Sequence, residues 1–200
     1  MHIYVVYAHP SKSSFTYEVL HSFLKGLSES GNTFDIGDLY AMDFKCELDL
    51  DQYTREMSRT VLPLVPDDVK KEQEKIQRSD AVAFVYPVWW SDCPGILKGW
   101  FDRVWTVGYA YFYDENAERK SFIKPKKALV LCTAGHTIEY LETTGIAQSM
   151  RCIMLKDRLN NVGFTDVKME ILGGMVNKND LVKRSNLEKA YSLGVAFFKH

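Results

Sequence analysis

Cysteine is sparse: Cys46, Cys93, Cys132 and Cys152 are the only four in 200 residues. Their spacings match no zinc or redox motif, and a chain of this length needs no covalent staples, so reduced thiols are expected. Net charge is also low, at −1. No basic block marks a surface that would track phosphates, which argues against nucleic acid as a partner. No apolar run approaches the ~18 residues of a membrane span, so membrane insertion is not expected. A strand begins within two residues of Met1 with no basic flank or signal-like apolar region, and the cytoplasm is the expected compartment. The nucleotide motifs are missing too. There is no G-x-x-x-x-G-K-[ST] for a P-loop, and no G-x-G-x-x-G after the first strand. His9-Pro10 stands where a phosphoacceptor domain would carry acidic residues. Internal repeats, low-complexity tracts and linkers are absent.

Hydrophobic residues make up 46% of the chain, enough for a sizeable core in one domain spanning residues 1–200. They fall into short runs: HIYVVY from His2, AVAFVYPV from Ala81 and ALVLCT from Ala128. Nearly continuous apolar runs of this length predict strands covered on both faces, as in a parallel sheet. TFDIGDLY from Thr33 and VKMEIL from Val167 predict weaker, more peripheral strands. Between them, Phe15, Val19, Leu20, Phe23, Leu24 and Leu27 share one helical face, closed by Gly31-Asn32. Further helices are predicted over Asp67–Arg78, Ile96–Trp105, Tyr140–Leu159 and Asp180–Phe198. Alternating strands and helices imply right-handed crossovers. The predicted fold is α/β: a flavodoxin-like three-layer sandwich, its five-stranded parallel sheet ordered 2-1-3-4-5 with helices on both faces. Two connections are long, Tyr40–Pro66 and Val107–Pro125, and long connections in compact domains are often functional.

In such a sheet, ligands bind beyond the carboxyl ends of the strands. Three loops should meet there. The first, AHPSKSSFT, sets Ser11, Ser13, Ser14 and Thr16 against a helix N-terminus, a good anion site, although simple N-capping accounts for one serine equally well. The second lies in YPVWWSDCPGILKGWFDRVW, Tyr86–Trp105, which holds every tryptophan of the chain. Trp89 reads as packing on a helix or the sheet edge, and Trp90 as a contact for a flat ligand. Pro87 and Val88 extend the backbone there, offering main-chain groups to a heterocycle's edge. Cys93 has no neighbour that predicts a lowered thiol pKa. The third loop, Thr133-Ala134-Gly135-His136, is small enough for its amides to approach a ligand. Tyr140 follows, either as a proton donor to an atom gaining negative charge or as an ordinary half-buried phenol. His136, alone in a loop, reads first as solvent-facing. The insert GYAYFYDE, with Tyr111 and Tyr113, reads as core packing or as an aromatic lid. A phosphate held without a P-loop or metal fits a flavin mononucleotide moiety.

These motifs carry a resemblance over nearly the whole chain. YAHPSKSSFTY, DLYAMDF and P-x-x-W-x-x-x-P-G-x-L-K-G-W-F-D-R-V resemble the flavodoxin-like NAD(P)H quinone dehydrogenases: the DT-diaphorase group, modulator of drug activity B and the potassium-efflux ancillary reductases. The resemblance implies a flavin, FAD or FMN, and NAD(P)H as electron donor. It implies two-electron, ping-pong reduction of a quinone or similar small-molecule acceptor. His9, Ser14, Phe15 and Thr16 correspond to the family's flavin phosphate loop. Pro87, Val88, Trp89 and Trp90 correspond to its isoalloxazine loop, and Thr133, Ala134, Gly135 and Tyr140 to its third loop. Trp90, Tyr111, Tyr113 and Tyr140 are the implied catalytic residues, the tyrosines of the insert reaching over the flavin of the other subunit in a homodimer. Arg184 corresponds loosely to a basic residue near the adenine half of FAD. The chain departs from the family in Ala134-Gly135 for paired glycines and in Ser91 for an aromatic. It also has Ile146-Ala147 where some members place a histidine that assists the tyrosine. Alternative readings are a flavodoxin-type electron carrier and a flavin-binding regulatory subunit of a transporter.

Overall fold

The computed structural model describes residues 1–59, 65–177 and 179–198. Its centre is a five-stranded parallel sheet. β1 (His2–Tyr7), β2 (Thr33–Asp38), β3 (Ala81–Pro87), β6 (Lys127–Thr133) and β7 (Asp166–Leu172) lie in the order β2-β1-β3-β6-β7. This is the predicted 2-1-3-4-5 arrangement, with the two less apolar strands at the edges. A separate two-stranded hairpin, β4 (Phe112–Tyr113) and β5 (Arg119–Lys120), is built from the aromatic insert.

Alternation along each strand sends side chains to opposite faces. Ile3, Val5, Tyr7, Ala83, Val85, Leu129 and Leu131 face α1 (Phe15–Glu29) and α7 (Asp180–Ala196). Tyr4, Val6, Val82, Phe84, Val130 and Cys132 face the other layer. That layer holds α3 (Asp67–Arg78), α4 (Gly95–Val104) and the segment from α5 (Ile138–Thr143) through α6 (Ile146–Arg151). α1 and α7 approach closely because each offers a glycine to the other. A Cβ on Gly26 would overlap the Tyr191 carbonyl, and one on Gly194 would overlap the Phe23 carbonyl.

The helix predicted over Tyr140–Leu159 is broken in three. Gly145, at φ 75°, turns the chain between α5 and α6, and a continuous helix cannot pass a left-handed residue. From Cys152 to Leu159 the helix then widens to π geometry. The Tyr40–Pro66 connection contains a further helix, α2 (Leu50–Ser58), and its residues 60–64 lie outside the described residues.

Candidate functional site

β1, β3 and β6 are neighbours in register, so the loops that follow them leave the sheet side by side. The Ala8 amide donates to Val85 O, and the Val88 amide donates to Thr133 O. Thr16 and Thr133 hydroxyls meet at 2.8 Å, tying the first loop to the third. His9 and Trp89 meet edge to face, 5.9 Å between centroids, tying the first to the second. These contacts bring the three loops together, with His9, Thr16, Val88, Trp89 and Thr133 at the points where they meet.

The first loop is folded around its own hydroxyls. Ser14 caps α1 by accepting from the Tyr17 amide, and its hydroxyl donates to Ser11 O. His9 Nδ1 accepts from the Ser11 amide at 2.9 Å. Burial holds the His9 imidazole below its usual value, and with Nδ1 accepting, Nε2 is the nitrogen that carries the ring proton in the neutral form. The amides of Lys12, Phe15 and Thr16 donate to no acceptor among the described residues. Beneath them, Tyr7 Oη is buried beside Ser14 without completing a hydrogen bond. Free amides at the start of a 15-residue helix, with an orphaned hydroxyl below, suit a phosphate. The residues present therefore fit the phosphate end of a flavin.

The second loop is a two-residue hairpin turn. Trp89 N–H donates to Asp92 O at 3.0 Å, and Asp92 N–H donates to Trp89 O at 3.2 Å. Its central residues, Trp90 and Ser91, have φ of 50° and 66°. Both positive angles define the type I′ class, where Asn-Gly is the usual pair. A non-glycine residue there costs about 1–2 kcal/mol. The turn lifts the Trp90 side chain out of the protein, at 101% exposure, whereas Trp89, at 42% exposure, rests edge to face on His9.

Asp92, at the end of the turn, is held by a residue that no sequence pattern singled out. Arg158 donates from Nη1 and Nη2 to the two carboxylate oxygens of Asp92, each at 2.9 Å. Burial pushes Asp92 up, but hydrogen bonds from Arg158 and from the Cys93 amide outweigh it and hold the carboxyl below the usual range. Cys93 is buried, and that burial pushes its thiol up to about 12.

In the third loop, Ala134 is bound on both sides, its amide to Leu172 O and its carbonyl by the Met175 amide. The Gly135 and His136 amides have no acceptor among the described residues. His136 is exposed and stacks on Tyr140 at 4.4 Å. The Tyr140 amide donates to the Thr137 cap, and its hydroxyl makes no hydrogen bond among the described residues. Beside the first loop, Lys183 pairs with Glu18 at 2.7 Å and lines a cavity of about 320 Å³ with Phe15, Met175 and Asp180. Arg184 is exposed on α7, so the basic residue next to Phe15 is Lys183.

Tyr111 and Tyr113 sit apart. No hydrogen bond or ring contact joins them to the three loops among the described residues. Tyr111 lies under the Arg119 guanidinium, 5.0 Å from its centroid, and Tyr113 is exposed. Both line a cavity of about 610 Å³ with Arg59, Val107, Gly108, Phe112 and Ala117. The hairpin is anchored at its root. The Val107 amide donates to Glu56, and Arg55 donates to Val107 O.

Known proteins resemble this chain in sequence and fold. A solved NAD(P)H:quinone oxidoreductase from Methanothermobacter marburgensis superposes with a TM-score of 0.94 and 55% identity, over 98% of both chains. An uncharacterized NAD(P)H oxidoreductase of Haemophilus influenzae is 28% identical over 187 residues, 93% of this chain and 90% of that one. The ribosyldihydronicotinamide dehydrogenase [quinone] of Rattus norvegicus is 31% identical over 166 residues, 74% of this chain and 70% of that one. Residues 1–192 match the Flavodoxin_2 family, described by its flavodoxin-like fold. On that match the chain is a member of the flavodoxin-like Flavodoxin_2 family.

Proposed function

We propose that residues 1–200 act as one flavin-binding domain of an NAD(P)H oxidoreductase that reduces quinones or similar acceptors by two electrons. The observation that carries this reading is the Trp90 turn. An exposed indole on a strained backbone rises from the loop whose Trp89 meets His9 of the loop that carries the free helix-terminal amides, at the switch point of the sheet. Kinship with an NAD(P)H:quinone oxidoreductase at 55% identity supports the same chemistry.

A flavin, FAD or FMN, held by these loops would supply the two-electron chemistry between NAD(P)H and the acceptor. The chain's part is to bind, orient and protonate. Phe15 and Thr16 amides, with Ser14 and His9, hold the phosphate. Pro87, Val88, Trp89 and the Thr133–Gly135 segment hold the heterocycle's edge. Trp90 offers an indole face to whichever flat ring enters, donor first and acceptor second, hence ping-pong kinetics. Tyr140 Oη, which makes no hydrogen bond among the described residues, is placed to donate to an atom gaining negative charge. In this reading the working unit is a homodimer, because Tyr111 and Tyr113 do not reach the loops of their own chain and serve those of a second copy.

The test is a visible spectrum. The purified chain, mixed with FMN or FAD and passed through a sizing column, is expected to keep a yellow flavin band. NADH or NADPH should bleach it, and a soluble benzoquinone should restore it. A chain that emerges colourless at every flavin concentration sinks the reading.

A further inference from the structure

Trp90 is fully exposed and has no side-chain partner among the described residues, so the backbone of its turn sets the direction in which the indole leaves the protein. That backbone is unfavourable by itself. Two successive residues, Trp90 and Ser91, hold positive φ, and neither is glycine. Such a turn persists only where its surroundings over-determine it. The surroundings here converge on Asp92. Its main chain closes the turn through both hydrogen bonds with Trp89, and its carboxylate leaves the turn for Arg158.

Arg158 is built to be a fixed post. Its side chain is 8% exposed. The guanidinium lies over the Phe101 ring at 5.3 Å, and Nη1 also reaches Cys93 Sγ at 3.4 Å. Its carbonyl accepts from Trp105 Nε1 at 2.9 Å, locking the main chain to the residue after α4. It rises from the π-helical turn, a deviation that is frequent at functional sites. Among the described residues no other carboxylate lies within ion-pair distance of it. The fork of the guanidinium matches both Asp92 oxygens, so the carboxylate is held in orientation as well as in place.

We infer that Arg158 is a positioning residue: through Asp92 it clamps the Trp89–Asp92 turn in its left-handed form and thereby sets the Trp90 indole over the substrate face. The clamp itself stands on geometry; its effect on turnover rests on the oxidoreductase reading above.

The test compares the wild-type chain with Arg158→Met, Asp92→Asn and the double variant Arg158→Met/Ser91→Gly. Hydrogen exchange at the Trp89 and Asp92 amides reads the turn whether or not flavin is bound. Both single variants are expected to speed that exchange at least tenfold while the β3 amides are unchanged. Ser91→Gly should return it to within threefold of wild type, because glycine adopts positive φ freely. A purely structural role for Arg158 would not be relieved by a glycine in the turn. In flavin-loaded protein the single variants should raise KM for NADH and for a soluble benzoquinone about tenfold, with kcat within threefold and flavin content unchanged. Unchanged amide exchange in both single variants overturns the clamp, as does acceleration that Ser91→Gly leaves in place. Accelerated exchange with unaltered KM overturns its effect on Trp90. A wild-type chain with a clamped turn but no flavin turnover overturns the oxidoreductase reading and leaves the clamp standing.

Discussion

At Trp90 the side chain and the backbone make opposite demands: the indole contributes no packing, and the main chain bears strain for holding it out. Trp90→Ala is therefore expected to leave stability within about 0.5 kcal/mol of wild type, the usual range for an exposed site. Quinone reductase activity should fall at least tenfold in kcat/KM. Urea denaturation and steady-state kinetics on one preparation check both halves, and parallel loss of stability and activity would count against a ligand-facing role. Burial decides thiol reactivity. Cys93 is buried with its thiol pushed up to about 12, and burial raises the Cys132 thiol likewise. Burial, then the Glu47 hydrogen bond and charge, raises Cys46, and Cys152 alone is exposed. A disulfide reagent at pH 8 should modify one thiol quickly in the native protein and all four after denaturation. Rapid labelling of Cys93 in the folded chain would contradict its burial beside Arg158. Adjacent tryptophans at a strand end made Trp90 legible in the sequence. Arg158 was not, because it stands 66 residues from Asp92 and their pairing depends on how α4 and the π-helical turn pack.

Among the elements, legibility followed the strength of the apolar pattern. β1, β3 and β6 are buried on both faces and read directly as continuous apolar runs. α3, a charged helix, runs from Asp67 to Arg78 as predicted. The Tyr140–Leu159 region hid its breaks because a single glycine in αL and a widening to i→i+5 bonding leave the apolar spacing nearly intact. The β4–β5 hairpin was hidden for another reason: its strands are two residues long, too short for a period. The α1–α7 contact offers a test with a sign. A glycine inside a helix normally gains about 1 kcal/mol on change to alanine. Gly26 sits against the Tyr191 carbonyl, so the added methyl must displace backbone. Gly26→Ala is expected to destabilise by about 1–3 kcal/mol, lowering Tm by about 2–4 °C for each kcal/mol. A thermal melt that moves upward would show that the two helices can part without cost.

For the whole molecule, α2 is inside out. Gln52 and Arg55 point inward, where Gln52 bonds Arg103 and Arg55 bonds the Val107 carbonyl. Leu50, Tyr53 and Met57, spaced to share one helical face, point outward at 75%, 49% and 64% exposure. An exposed apolar face of this kind is what the second copy in the proposed homodimer would cover. The inner polar network runs from α2 through Val107 to the hairpin that carries Tyr111 and Tyr113, so the same helix that offers the apolar face also aims the aromatic insert. In the proposed homodimer, docking through α2 would carry Tyr111 and Tyr113 toward the loops of the second chain. Light scattering at micromolar concentration is then expected to give twice the 23.0 kDa of one chain. Met57→Lys places an unpaired charge in that contact, which costs several kcal/mol when desolvated. It should halve the measured mass and cut quinone reduction at least tenfold, while flavin stays on the loops of each separate chain. A wild-type chain that runs at the monomer mass with full activity would show that Tyr111 and Tyr113 take no part in the site.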